Sequence, residues 1–328
     1  MFPETLSAPT KPIAILNPRA AGGRAAKHWP RIARILAARL GAVEPRFTAH
    51  PGHATQLVRR ALMDGSDLVI VVGGDGTINE AANGFLSNDE PINPAARLGI
   101  IPLGTGGDFQ RTLRLPSDFE QAANVISGRD VLPIDVGVAH FTGPNGRPAE
   151  RYFVNLVSFG MGGAVSVRAK NFLTPLGGKI AFLYATLAVF LTYGAKRVRL
   201  TLDGEPLPNE LKITNVAIGN GRYHGGGMHP CPLALLDDGL LEVTTIGHLN
   251  MFELIRDLPV LYSDDIYKHP KVNHYRAKTV LAEASDTTLI ELDGEAVGSL
   301  PLEARILPRC LPVLVGAEGP LPPPNESV

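Results

Sequence analysis

Cysteine, tryptophan and net charge are all scarce in this chain. Among 328 residues there are two cysteines, Cys231 and Cys310, and one tryptophan. Two isolated cysteines make neither a disulfide framework nor a zinc pattern, so reduced thiols are expected. The formal net charge is -1. A nucleic-acid partner usually demands a strong basic excess, and this chain has none. A local basic face against an anionic membrane is still compatible with that balance. The opening MFPETLSAPTKP has no basic segment followed by an apolar run, so no signal peptide is expected. A long apolar run is also missing. Residues 180–193 (IAFLYATLAVFLTY) fall short of the ~20 apolar residues a spanning helix needs. Their helical spacing and apolar second face predict a buried helix, with contact to acyl chains as the alternative. A cytoplasmic protein with peripheral contact to the inner membrane face is the expectation. The sequence is compatible with a monomer or a homodimer.

The chain is too long for one typical core and fits two domains. Hydrophobic residues make up 45% of it, enough to fill both. Residues 1–135 alternate strand and helix. Apolar runs at 13–16, 68–72 and 98–101 each end at a turn or glycine loop, and helical patterns follow. Continuous runs such as LVIVV suit parallel strands buried on both faces. Ser117 to Glu120 reads as a capping box opening a helix. Residues 136–315 are instead rich in short strands bounded by Gly, Pro, Asn and Asp, with 152–159 among them and a helix at 250–258. The tail 316–328 (GAEGPLPPPNESV) is expected to be disordered. LTLDGE at 200–205 echoes IELDGE at 290–295, and Asp-Gly between strands is a hairpin signal.

Three glycine loops each follow a predicted strand: NPRAAGG at 17–23, GGDGT at 73–77 and GTGGD at 104–108. In a parallel α/β sheet such loops gather at the carboxyl ends of the strands, where ligands bind. Glycine lets backbone N–H groups approach phosphate oxygens, and the next helix offers its N-terminus to the anion. Neither a P-loop nor the full dinucleotide fingerprint is present. Asp75 would repel bare phosphate. It makes sense facing Mg²⁺ or its water shell, or as a turn or helix cap. Thr77 and Thr105 supply hydroxyl donors.

These residues resemble a known family. Asn17-Pro18 with its glycine pair, GGDGTINEAANG at 73–84, PLGTGGDFQRTL at 102–113, NGRYHGGGMHPCPLALLDDGLLEV at 220–243 and the Asp-Gly-Glu at 293–295 are similar to the bacterial diacylglycerol kinase and lipid kinase family, related to sphingosine and ceramide kinases. The resemblance runs from about residue 13 to 315. It implies a Rossmann-like α/β domain of NAD kinase and phosphofructokinase type, then a β-sandwich domain that takes the lipid. It implies ATP as phosphoryl donor, Mg²⁺, and a lipid hydroxyl at the membrane surface as acceptor.

Carried over residue by residue, Asn17, Thr48, Gly73, Gly74, Asp75, Gly76, Thr77, Gly104 and Thr105 match nucleotide contacts. Leu235, Asp238 and Leu240 match a Mg²⁺ site of one carboxylate and two backbone carbonyls. Glu295 matches the proposed base, with Asp293 as helper or second metal ligand and Asp75 organising magnesium. Two departures stand out. Gly107 replaces an asparagine, and Ala20-Ala21 replace a common serine. Both keep the backbone donors. His50 and His53 lack a third metal ligand, and the basic stretch Lys268, Lys271, His274, Arg276 and Lys278 reads as a solvated strand, with membrane contact as the alternative. Two alternatives stay open: an NAD kinase-like enzyme with a soluble acceptor, and a non-catalytic nucleotide or lipid sensor. The sequence leaves the lipid unnamed.

Overall fold

The computed structural model describes residues 11–104, 106–170, 189 and 194–322. They form two compact units. Unit 1 holds the described residues up to Val136 together with Pro308–Pro322, and unit 2 holds Gly137–Leu307.

Unit 1 is built from β1 (Pro12–Leu16), α1 (Ala20–Leu40), β2 (Glu44–Phe47), α2 (His53–Met63), β3 (Leu68–Gly73), α3 (Asp75–Phe85), β4 (Leu86–Ser87), β5 (Glu90–Pro91), β6 (Arg97–Pro102), α4 (Asp108–Thr112) and α5 (Phe119–Ser127). The strands β2, β1, β3 and β6 lie side by side and run parallel. Every residue of β1 and β3 is buried. These strands are therefore apolar without alternation, as a sheet covered on both faces requires. Ile32, Ile35 and Leu36 turn one stripe of α1 onto Leu16, Ile70 and Val72. Each such aliphatic side chain contributes about 1.5–3 kcal/mol on burial. The expected capping box is shifted by one residue. Asp118, not Ser117, caps α5, accepting from the amides of Glu120 and Gln121 at 3.0 and 3.1 Å. Ser117 instead accepts the Gln110 side-chain amide at 2.8 Å.

Unit 2 is mainly antiparallel. Its elements are β7 (Val131–Thr142), which begins in unit 1, β8 (Pro148–Phe153), β9 (Leu156–Gly160), α6 (Met161–Lys170), β10 (Lys196–Leu202), β11 (Glu205–Pro206), β12 (Leu211–Gly219), β13 (Leu241–Gly247), α7 (Met251–Asp257), β14 (Val272–Ala277), β15 (Thr279–Ala284), β16 (Leu289–Leu292) and β17 (Glu295–Leu314). Strand β12 is central. It pairs with β13 along one edge, with an irregularity between Ile213 and Asn215, and with β10 and then β9 along the other. Phe153, Phe159, Val216, Ile218, Val243, Ile290 and Leu302 fill the core of this sandwich. Asn250 and Glu253 form a reciprocal capping box that starts α7.

One expected strand divides in two. Residues 152–159 are not one strand. The chain breaks between β8 and β9, where the amides of Val154, Asn155 and Leu156 turn to a buried carboxylate. Strand β17 runs on past unit 2, and its Val313 pairs in parallel with Leu98 of β6. This is why Pro308–Pro322 cluster with unit 1, although the sequence reading ran the second domain to residue 315. The part of the tail described here is held in place. The Leu321 amide donates to the Thr112 carbonyl at 3.1 Å, and Glu318 pairs with Arg114 at 2.5 Å. Residues 323–328 and the expected helix at 180–193, apart from Val189, lie outside the described residues. Among the described residues no helix is long and apolar enough to cross a membrane.

Candidate functional site

In unit 1 the glycine loops converge at the carboxyl edge of the parallel sheet. Strand β3 ends at Gly73 and β6 at Pro102, directly opposite each other. The loops that follow touch backbone to backbone. A methyl group on residue 104 would lie 2.6 Å from the Gly74 Cα, and one on residue 74 would lie 3.0 Å from the Gly104 Cα. Neither position has room for a side chain. Thr77 is buried on the first turn of α3, and the Asn17 side-chain amide reaches its Oγ1 at 3.5 Å. The Thr48 amide donates to the Leu16 carbonyl at 2.8 Å, placing Thr48 just beyond β2. Asn17, Thr48, Gly73, Gly74, Gly76, Thr77 and Gly104 thus share one edge of unit 1. Thr105 lies outside the described residues.

Asp75 takes up the helix-cap alternative, but on a helix other than its own. Its Oδ2 accepts the amides of Gly107 and Asp108 at 2.9 and 3.3 Å, and its Oδ1 accepts that of Phe109 at 3.1 Å. The carboxylate caps α4 from another loop, so both its oxygens are engaged. Three of its acceptor sites are thereby spent on the loop, as a cap requires. It also accounts for Gly107, whose φ of +68° lies in the left-handed region. Asparagine and glycine both tolerate that conformation, so the departure at 107 keeps the loop. Arg111 was missed in the sequence. Its Nη1 donates to the Gly106 carbonyl at 2.8 Å and to Asp108 at 2.7 Å, bracing the same loop.

In unit 2 the two Asp-Gly-Glu copies are the same kind of hairpin. Asp203-Gly204 and Asp293-Gly294 have φ of 50° and 86°, and of 45° and 87°. This is the two-residue turn that Asp-Gly favours. In both, the aspartate accepts backbone amides from a neighbouring segment. Asp203 takes those of Lys278 and Thr279, each at 2.8 Å. Asp293 takes those of Val154, Asn155 and Leu156 at 3.0, 3.1 and 2.8 Å. Asp293, expected as helper to Glu295 or second metal ligand, is therefore buried with both oxygens engaged by the fold. Glu295 is different. Its side chain is 34% exposed and pairs with Arg151 Nη1 at 2.7 Å. The sequence reading missed Arg151, because nothing local links it to a residue so far along the chain.

The turn at 235–240 tests the expected metal position. Asp238 Oδ1 accepts the Leu240 amide at 3.0 Å, and Oδ2 is paired with Arg276. Burial is the first influence on the Asp238 carboxyl and raises it above its ordinary value, while the Leu240 amide and then Arg276 act in the opposite direction. Arg222 ties the turn down from its Nε to the Ala234 carbonyl at 2.8 Å. By type, one carboxylate and two carbonyls fit a hard cation. By geometry each carboxylate oxygen already has a partner, and the Arg276 guanidinium at one of them opposes a second cation there, so the side chains present favour the arginine over the ion. Among the described residues no group of three His, Cys, Asp or Glu side chains is placed to hold a metal. Both thiols are disfavoured as anions: burial pushes Cys231 far up and Cys310 to about 12.

Residues 11–139 match the diacylglycerol kinase catalytic domain. Residues 155–315 match the YegS C-terminal NAD kinase beta sandwich-like domain. A diacylglycerol kinase of Staphylococcus carnosus is 31% identical over 254 residues, 77% of this chain and 78% of its own. One from Staphylococcus epidermidis is 32% identical over 255 residues, 76% of this chain and 74% of its own. A solved Bacillus anthracis structure, assigned as a diacylglycerol kinase, has a TM-score of 0.75 at 27% identity and covers 95% of this chain and 99% of its own. Yeast NADH kinase, with a TM-score of 0.54 at 13% identity over 94% of this chain and 84% of its own, shares the fold alone.

Proposed function

The chain belongs to the diacylglycerol kinase family, and on that premise we propose that it transfers the γ-phosphoryl group of ATP-Mg²⁺ to a lipid hydroxyl such as that of diacylglycerol. The observation that carries the reading is the backbone contact of Gly74 with Gly104 at the ends of β3 and β6. Where the two loops meet at these glycines, bare backbone and the N-terminus of α3 lie at the same edge. Such a surface suits a polyphosphate. Asn17, Thr48, Gly73, Gly74, Gly76, Thr77, Gly104 and Thr105 position the donor in this reading. Magnesium arrives with ATP as part of the substrate. Asp75 acts by ordering the 106–109 loop.

Phosphoryl transfer depends mainly on positioning and on charge neutralisation, with a base near the attacking hydroxyl. Glu295 is that base. As the lipid oxygen bonds the γ-phosphorus and the bond to ADP breaks, the hydroxyl proton passes to the Glu295 carboxylate. A carboxylate suffices because the proton moves late. Asp293 holds the hairpin that presents Glu295, and Arg151 holds the carboxylate in orientation. The acceptor's apolar chains place the reaction at a membrane surface, which the protein meets peripherally. Transfer of labelled γ-phosphate to lipids in mixed micelles, with NAD alongside, tests the proposal. Label on NAD alone would move the chain to the soluble-acceptor branch of the fold.

A further inference from the structure

We propose that Arg276 is the resident cation of the turn at Asp238, so that unit 2 of this chain folds without a bound divalent ion there. The proposal rests on the reading, carried from the family resemblance, that Asp238 stands at a magnesium position. An oxygen-only site draws on a carboxylate with lone pairs to spare. Here one Asp238 oxygen accepts the Leu240 amide at 3.0 Å, and the other is paired with the Arg276 guanidinium.

Arg276 is not a passing surface side chain. It stands directly opposite Glu242 in the β13–β14 ladder, with its Nε 3.5 Å from Glu242 Oε2. The Glu242 side chain is 1% exposed. A carboxylate taken that far out of water needs compensating partners. Its Oε1 accepts the Tyr267 hydroxyl at 3.0 Å, and His274 Nε2 stands against the same oxygen. One guanidinium fixed on a strand therefore faces two acids, one buried and one on the turn. A planar fork with five donors can serve both, whereas an ammonium is a single point charge. A divalent ion on Asp238 would have to push the guanidinium off one acid and then sit beside it as a like charge, which Coulomb repulsion opposes. The guanidinium already supplies what a structural ion would, a positive charge tying the 235–240 turn to the sandwich. Without Arg276, two carboxylates and nearby carbonyls would face an emptied place of hard-cation character.

The test uses the full chain without nucleotide, melted in EDTA and in millimolar MgCl₂, with Mg²⁺ titration calorimetry alongside. The wild-type Tm should agree between the two buffers to within about 1 °C, with no heat of binding. Arg276→Met should melt at least about 3 °C lower in EDTA, bind Mg²⁺, and recover most of the loss in MgCl₂. Arg276→Lys, a single point charge in place of the fork, should fold, melt between wild type and Arg276→Met in EDTA, and gain less from magnesium than Arg276→Met does. A wild-type Tm that falls on chelation would overturn the proposal. So would an Arg276→Met protein that neither binds magnesium nor recovers with it. If Arg276→Met fails to fold, the wild-type and Arg276→Lys melts decide. Nothing in this readout depends on phosphoryl transfer, so failure of the kinase reading would show separately.

Discussion

The Glu295 carboxylate lies 2.7 Å from the Arg151 guanidinium, joining residues 144 positions apart in the chain. The neighbouring Asp293 is spent on three backbone amides. This relationship separates the two acids of one hairpin: one is held by the fold, and the other is the base of the proposed reaction. Glu295→Gln should fold normally and lose roughly 10²–10⁴-fold in kcat, the usual range for a general base. Arg151→Ala should lose roughly 10–100-fold through misorientation of the same carboxylate. Steady-state rates beside melting curves check both. An Arg151→Ala enzyme of wild-type rate would remove the arginine from the account.

Asp293→Asn should fail in a different way. Its carboxylate compensates three amides in a buried place, and charged hydrogen bonds of this kind contribute about 1.5–3 kcal/mol. Loss of stability should therefore accompany any loss of rate. Glu205, the counterpart in the exposed hairpin, should tolerate alanine in both measurements.

Asp75→Asn should lower stability as well as activity, because the side chain caps α4 through three amides. A loss of about 1–3 kcal/mol is expected, read from denaturant unfolding. Unchanged stability with lost activity would favour a metal role for Asp75 over the cap.

Gly104→Ala should be damaging on geometry alone. The new methyl would meet the Gly74 Cα at 2.6 Å, and backbone cannot step aside as a side-chain tip can. Overpacking of this kind costs about 1–3 kcal/mol. Nucleotide affinity should fall with it, measured by titration with an ATP analogue. An alanine enzyme with unchanged affinity would mean that the loops can separate without consequence.

One pH effect has a defined sign. The Arg256 hydrogen bond, ahead of that from His269, holds the Asp257 carboxyl down at about 2, well below the usual aspartate range. A depressed acid adds stability above its unfolded pKa and loses it as pH falls through the folded one. Wild type should therefore lose more Tm between pH 4 and 2 than Asp257→Asn does. Equal losses would show that the pair contributes nothing in solution.

Much of this was legible in the sequence, for physical reasons. β3 had to be a doubly buried strand because LVIVV offers no polar face, and the loops after β1, β3 and β6 announced themselves by glycine. The Asp-Gly turns were readable because that pair favours one hairpin. Partnerships were not readable. Asp75 finds its amides some 32 residues away, and Arg276 seemed solvated because its acid, Glu242, lies on another strand. In both cases the side chain's role is fixed by what the fold brings to it. Local pattern carries no record of that.

The most direct measurement of the central claim is transfer of γ-phosphate from labelled ATP-Mg²⁺ to a lipid panel in mixed micelles, beside NAD, with Glu295→Ala as control. The account predicts a labelled lipid that disappears in the mutant while ATP binding persists. Equal labelling by wild type and Glu295→Ala, or no labelled lipid despite bound ATP, would contradict it.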